Sequence, residues 1–253
     1  MKLEKKSILS ALLILIFAAM VSLASFRAGN GSSSGNTPVS AKLSLDTAAG
    51  SVKHTDQSGN VTVDFEKLKE WNPDIYAWIT VPGTNIDYPV LQKSGAEDPY
   101  DNYYLDHTVD LEEGLPGAIY SQPVNQKDFM DSVTILYGHN MKNGEMFTQL
   151  HEFEDKEFFE KNQQIYIYTQ KGTFMYEIFA AVDFSDALIP YEYDFSDNSQ
   201  VQKYLEDVKS CDGNFRENME VSAESRILTL STCYSGQDDR RLLIEAVQKD
   251  GGV

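Results

Sequence analysis

Residues 226–248 read RILTLSTCYSGQDDRRLLIEAVQ. Two apolar runs, 226–232 and 242–248, flank a polar loop, the pattern of two strands that fold back on each other. Cys233 stands where the first run gives way to the loop, so its thiol has a rigid neighbour on one side and access to solvent on the other. Arg240 and Arg241 follow seven and eight residues later. A loop returning into an antiparallel strand brings this pair beside the thiol. A guanidinium offers fixed donors to a developing oxyanion and keeps its proton, which lysine does less dependably. Arg240 shares strand parity with Leu242, Ile244 and Ala246, whereas Arg241 shares parity with Leu243 and Glu245, the more polar set. Arg241 is therefore expected to face the groove. The competing reading is a surface pair offsetting Asp238 and Asp239, with Cys233 a buried structural cysteine.

Working outward, six more strand-like runs precede this pair. Residues 76–81 and 86–91 flank Pro82-Gly83-Thr84-Asn85, a hairpin-like connection. Residues 117–121 and 132–137 come next. Residues 164–169 and 173–184, rich in Tyr, Phe, Ile and Val, are joined by Gln170-Lys171-Gly172. Eight short strands without regular βα alternation predict a mainly β (α+β) chain with a closed eight-stranded barrel. Asp64 is expected to cap a short helix, FEKLKEW, that stops before Asn72-Pro73. Residues 145–162 are read as one or two short helices burying Phe147, Leu150, Phe153 and Phe158. Residues 197–210 carry Val201, Tyr204, Leu205 and Val208 at helical spacing, with Asp197 or Ser199 at the cap.

The chain has four histidines. His139 ends the run SVTILY and opens a loop, the same placement as Cys233. His107 is ambiguous, His151 is read as a surface residue of a charged helical stretch, and His54 falls in a linker. Two cysteines exclude a disulfide-rich scaffold and a four-cysteine zinc site. Cys211 is expected to be a lone thiol, because pairing with Cys233 would silence the latter.

At 42% hydrophobic and 11% aromatic the chain is not disordered overall. Its formal net charge of −18 argues against nucleic acid, which requires a basic face. The charge is uneven: residues 1–26 carry a net +2 and the remainder a net −20. From Ser7 to Phe26 there are 20 uncharged residues, enough for a helix of about 30 Å, the thickness of a hydrocarbon core. The preceding lysines orient it with the N-terminus in the cytoplasm. A cleaved signal peptide ending near Ser22-Leu23-Ala24 is the alternative, although its apolar region would be unusually long. Residues 1–26 are thus read as a single-pass membrane anchor, 27–60 as a Gly/Ser-rich flexible tether, and 61–253 as an extracellular folded domain.

Taken together, these residues resemble the sortases, the membrane-anchored cysteine transpeptidases of Gram-positive bacteria, and among them class B. TLSTC at 229–233 is similar to the family's TLxTC nucleophile motif, and YGHN at 137–140 to its class B histidine segment. Asp238-Asp239-Arg240-Arg241 matches an Asp-Asp-x-Arg spacing in which the family's arginine falls on Arg241. NPDIYAWITVPGTNIDYPV at 72–90 and YYLDH at 103–107 are also class B-like, and the helix before the cysteine strand corresponds to a class B insertion. The resemblance covers about residues 62–248 and departs at Tyr234–Gln237, a loop that bears on substrate preference.

The resemblance implies an enzyme that cleaves a C-terminal sorting signal after Thr through a thioacyl intermediate on Cys233. The acyl group then passes to an amine of a peptidoglycan cross-bridge or to a pilin lysine. Its partners would be sorting-signal-bearing secreted proteins. His139 would serve as acid and base, and Arg241 with the Tyr234 N–H would hold the oxyanion. Ser231 and Thr232 would shape the substrate groove, and no metal or organic cofactor is required. The alternatives are a thiol hydrolase, for which papain-like chain order is reversed here, and a non-catalytic membrane-tethered binding module on the same barrel.

Overall fold

The structure, a computed structural model, describes residues 50–249. The expected anchor and the tether as far as residue 49 lie outside the described residues. Among the described residues, no helix is long and apolar enough to cross a membrane.

The first elements are a small hairpin, β1 (Lys53–Thr55) with β2 (Val61–Val63). These residues fall partly in the segment read as tether, and the ordered structure begins earlier than Val61. The cause is local. Asp56 Oδ1 accepts from the N–H groups of Ser58 and Asn60 (2.8 and 2.9 Å), closing a turn with Gly59 at φ +86°, and Val52 is fully buried. Helix α1 (Phe65–Trp71) follows, with Asp64 accepting from the Lys67 N–H and Asn72 ending it.

Eight strands close a barrel. They are β3 (Ile75–Thr80), β4 (Asp87–Leu91), β5 (Ile119–Tyr120), β6 (Val133–Tyr137), β7 (Gln164–Thr169), β8 (Gly172–Ser185), β10 (Ile227–Tyr234) and β11 (Gln237–Gln248). Around the ring the order is β11-β10-β6-β5-β4-β3-β7-β8, and β8 pairs with β11 to complete it. A short β9 (Gly213–Phe215) adds to β8 outside the ring. The pairing is mixed: β4–β5 and β6–β10 are parallel and the rest antiparallel. Closure leaves the ring without free edges.

The polar run 237–241 is part of β11, so this strand begins earlier than its apolar residues suggest. Between β6 and β7 lie a 3₁₀ helix (Thr148–Glu154) and α2 (Lys156–Lys161). There Phe147, Leu150 and Phe153 are buried as expected, but Phe159 rather than Phe158 is the fully enclosed ring. After β8 come α3 (Ile189–Glu192) and α4 (Asn198–Lys209), the latter capped by Asp197, which accepts from the Ser199 N–H.

The faces of β10 and β11 sort cleanly. Leu228, Leu230, Leu242, Ile244 and Ala246 pack inside the barrel, whereas Ile227, Leu243 and Val247 pack on the outside with Val201, Tyr204, Leu205 and Val208 of α4. The face shared by Arg241, Leu243 and Glu245 is therefore not a polar surface along its length, because α4 covers its inner half. Glu245 is fully buried there and accepts from Tyr204 Oη (2.5 Å) and Thr229 Oγ1 (2.9 Å).

Burial lifts the Glu245 carboxyl from 4.5 to about 7, against the opposing pull of its two hydrogen bonds. A raised folded-state value means that the favourable contribution is complete below about pH 4.5 and is lost as the pH rises through about 7. The lost contribution amounts to roughly 3 kcal/mol. Glu245→Gln cannot ionise, so in urea unfolding its stability relative to the parent should rise by about 2–3 kcal/mol between about pH 5 and about pH 8. A pH-independent difference would exclude this account.

Candidate active site

The parallel pairing of β6 with β10 places the C-terminal ends of both strands at one end of the barrel. Ser231 is registered with Tyr137, and the Gly138 N–H donates to Ser231 O (3.2 Å), carrying the ladder one rung past β6. His139 leaves β6 at that end and Cys233 nears the end of β10. On the other side Cys233 is the cross-strand partner of Arg241. Three strands thus deliver the three side chains to a cavity of about 210 Å³. It is lined by Cys233, His139, Arg241, Ser231 and Thr232 among others.

His139 Nε2–H donates to Leu105 O (2.7 Å), in the 3₁₀ turn Tyr103–Leu105. In the neutral ring this leaves the lone pair on Nδ1. Gly138 is required by space: a Cβ there would lie 2.5 Å from Ile119 Cδ1 and 2.7 Å from Phe147 ring atoms. Arg241 Nη1 donates to the carbonyls of Asp238 (3.0 Å) and Arg240 (2.8 Å), which anchor the guanidinium to its own turn. Nε and Nη2 make no hydrogen bond among the described residues. Arg240 instead pairs with Asp183, Nε to Oδ1 at 2.7 Å, on β8. The two adjacent arginines are thereby separated, one to a neighbouring strand and one to the cavity.

The remaining sequence candidates are placed as follows. Ser231 and Thr232 are buried in the cavity wall, and Thr232 Oγ1, on the parity of Leu228 and Leu230, has no hydrogen-bond partner among the described residues. The Tyr234 side chain does not line the cavity; its Oη donates to Glu154 Oε1 (2.9 Å), and burial together with Glu154 raises the phenol above its usual range. His107 is held in its own turn, where Nδ1 contacts Tyr103 O (2.9 Å) and Asp106 Oδ1 (2.7 Å) and the ring stacks on Tyr103. Cys211 and Cys233 are both free thiols. Burial raises the Cys211 thiol, and its Sγ–H donates to Asp207 O (3.3 Å).

His151 is not a bystander on the surface. Its Nε2 lies 3.1 Å from the Cys233 carbonyl and its Nδ1 2.7 Å from Glu154 Oε2. Tyr120 and Tyr137, a tilted ring pair, and the segment 185–189, from the end of β8 to the start of α3, also line the cavity. The YGHN segment contains Tyr137, but no local signal marks residues 185–189 as part of the site. The Asp186 N–H donates to Asp239 O (3.0 Å), a contact between segments far apart in sequence. Among the described residues no three His, Cys, Asp or Glu side chains gather as a metal site.

The sortase domain family model matches residues 79–249. Sortase B of Listeria monocytogenes is 33% identical over 184 residues, covering 73% of this chain and 72% of that protein. The crystal structure of Clostridium perfringens sortase B is similar at TM-score 0.66 and 31% identity, covering 74% of this chain and 100% of that one. Sortase B from B. anthracis gives a TM-score of 0.67 at 29% identity, covering 81% and 93%.

Gly138→Ala should force Ile119 and Phe147 outward and lower stability by about 1–3 kcal/mol in urea unfolding. An unchanged midpoint would show that these neighbours yield freely.

Proposed function

Since the chain belongs to the sortase family and is a cysteine transpeptidase with class B relatives, we propose that it cleaves a C-terminal sorting signal after threonine and transfers the acyl group to an amine of peptidoglycan or of a pilin subunit. As a sortase it is a cell-surface-associated enzyme, and in this reading residues 1–26 anchor it to the membrane.

The Cys233 thiolate attacks the threonine carbonyl carbon, an S–C bond forms, and the carbonyl electrons move to oxygen. Arg241, through the donors its turn leaves unused, and the Tyr234 N–H hold that oxyanion. Its collapse breaks the C–N bond, and His139 as imidazolium protonates the departing amine. Neutral His139 then takes a proton from the acceptor amine, which attacks the thioester. A C–N bond forms, the S–C bond breaks, and the thiolate returns. Ser231 and Thr232 form the wall against which the signal lies.

The observation that supports this reading best is the cross-strand pairing of Cys233 with Arg241, beside a parallel strand that ends in His139.

The purified chain, incubated with a pool of threonine-containing sorting-signal peptides and triglycine, should yield a thioacyl adduct on Cys233 and a triglycine-capped product by mass spectrometry. Cys233→Ala should abolish both. Arg241→Lys should lower turnover by about a hundredfold, and Arg240→Lys, at a residue paired with Asp183, by less than about threefold. Absence of any adduct across the pool, or turnover retained by Cys233→Ala, would overturn the reading.

A further inference from the structure

Beyond β6 the backbone turns away from β10. Asn140 pairs instead with Met146, and His139 O accepts from the Phe147 N–H (3.0 Å). On β10 the register against β11 shifts between Cys233 and Tyr234. The ladder to β6 therefore ends short of the Cys233 carbonyl, which is left without a strand partner, while the pairing with β11 shifts and resumes at Tyr234 with Gln237.

Side chains take over. One rung beyond Ser231 O and the Gly138 N–H, Asn140 Nδ2 donates to Cys233 O (3.0 Å). His151 Nε2 approaches the same oxygen (3.1 Å) and also lies 3.0 Å from Asn140 Nδ2. Glu154 holds His151 through Nδ1–H to Oε2 (2.7 Å) and accepts from Tyr234 Oη on its other oxygen (2.9 Å). The ring of contacts closes on itself, because Tyr234 belongs to the peptide being held. The His151 and Tyr234 rings also meet edge to face, with centroids 5.0 Å apart.

The proton inventory is consistent. Glu154 requires a donor at His151 Nδ1. With a neutral ring, Nε2 accepts one Asn140 hydrogen while the other reaches the Cys233 carbonyl. With a protonated ring, Nε2–H reaches that carbonyl itself. In either state the oxygen keeps a donor.

A trans peptide is planar, with C=O and N–H pointing in opposite directions. Holding the Cys233 oxygen therefore sets the direction of the Tyr234 N–H. We propose that Asn140, His151 and Glu154 are positioning residues that grip the Cys233 carbonyl and so aim the Tyr234 N–H at the tetrahedral oxyanion. This rests on the transpeptidase reading above, in which that N–H is an oxyanion donor. None of the three side chains is assigned contact with substrate. Their effect is on the transition state, so it belongs in kcat more than in KM.

The test uses the full chain and two Cys233 probes. One is iodoacetamide, whose alkylation develops no oxyanion. The other is a short peptide aldehyde ending in threoninal. There the sulfur bonds to the aldehyde carbon, the thiol proton ends on the new hydroxyl, and that oxygen occupies the oxyanion position. Asn140→Ala and His151→Ala should each lower kcat by about tenfold, with KM changed less than about twofold, and the double variant should fall below either single variant by a factor that departs from their product, since the two share one carbonyl. Aldehyde affinity should fall in step while the alkylation rate stays within about twofold. His151→Gln, neutral but still a donor and acceptor, should recover to within about threefold of the parent. If the double variant does not fold, the single variants decide by the same aldehyde-to-alkylation ratio.

Unchanged kcat and aldehyde affinity in folded variants would overturn the positioning role alone. So would a loss confined to KM, or an alkylation rate that falls with aldehyde affinity. A parent chain that is alkylated normally but reacts with neither peptide nor aldehyde would overturn the transpeptidase reading beneath it.

Discussion

Strand β10 is paired on both sides, parallel to β6 and antiparallel to β11, and this double register is the constraint on which the cavity depends. Side chains alternate along a strand, so a slip of one residue in either pairing would exchange its two faces. Cys233 would move off the face it shares with Arg241, and Thr232 would take its place. The catalytic geometry is therefore a question of register before it is one of chemistry.

What holds that register lies two rungs below the thiol. Thr229 is paired with Glu245, and both are bonded to each other and to Tyr204 of α4. Around this polar knot the outer faces of β10 and β11 are apolar and covered by α4. A one-residue slip would place the Glu245 carboxyl among aliphatic side chains inside the barrel, where nothing on the opposite strand could bond it. A buried acid whose folded state disfavours its charge is a costly component. Its use here is specificity of pairing, since few arrangements satisfy it. The ladder between β6 and β10 ends short of the Cys233 carbonyl, and the side chains of Asn140 and His151 take its place there.

Legibility varied with the range of the interactions. QIYIYT at 164–169 forms a strand with the expected bounds, because its period-two alternation and the following Gln170-Lys171-Gly172 turn are local signals. The four buried residues of α4 were equally visible at helical spacing. β5 shrank to Ile119–Tyr120, since the backbone before it turns to other partners: the Gly117 N–H donates to Gly114 O and the Ala118 N–H to Tyr104 O. The early start at Lys53 was hidden by a polar turn that stabilises itself through Asp56. His151 was missed for the strongest reason: its partner is the Cys233 carbonyl, 82 residues away, and nothing near position 151 announces it.

The sequence by itself determined the eight strands of the barrel, the helix before the cysteine strand, and which cysteine, histidine and arginine stand at strand ends. These depend on alternation, capping and turn chemistry within a few residues. Only the tertiary structure decided that Arg240 pairs with Asp183 while Arg241 lines the cavity, that Glu245 is buried, and that Asn140, His151 and Glu154 hold the Cys233 peptide. Each of those depends on strand order and closure, which bring together groups whose mutual attraction leaves no trace in their separate neighbourhoods.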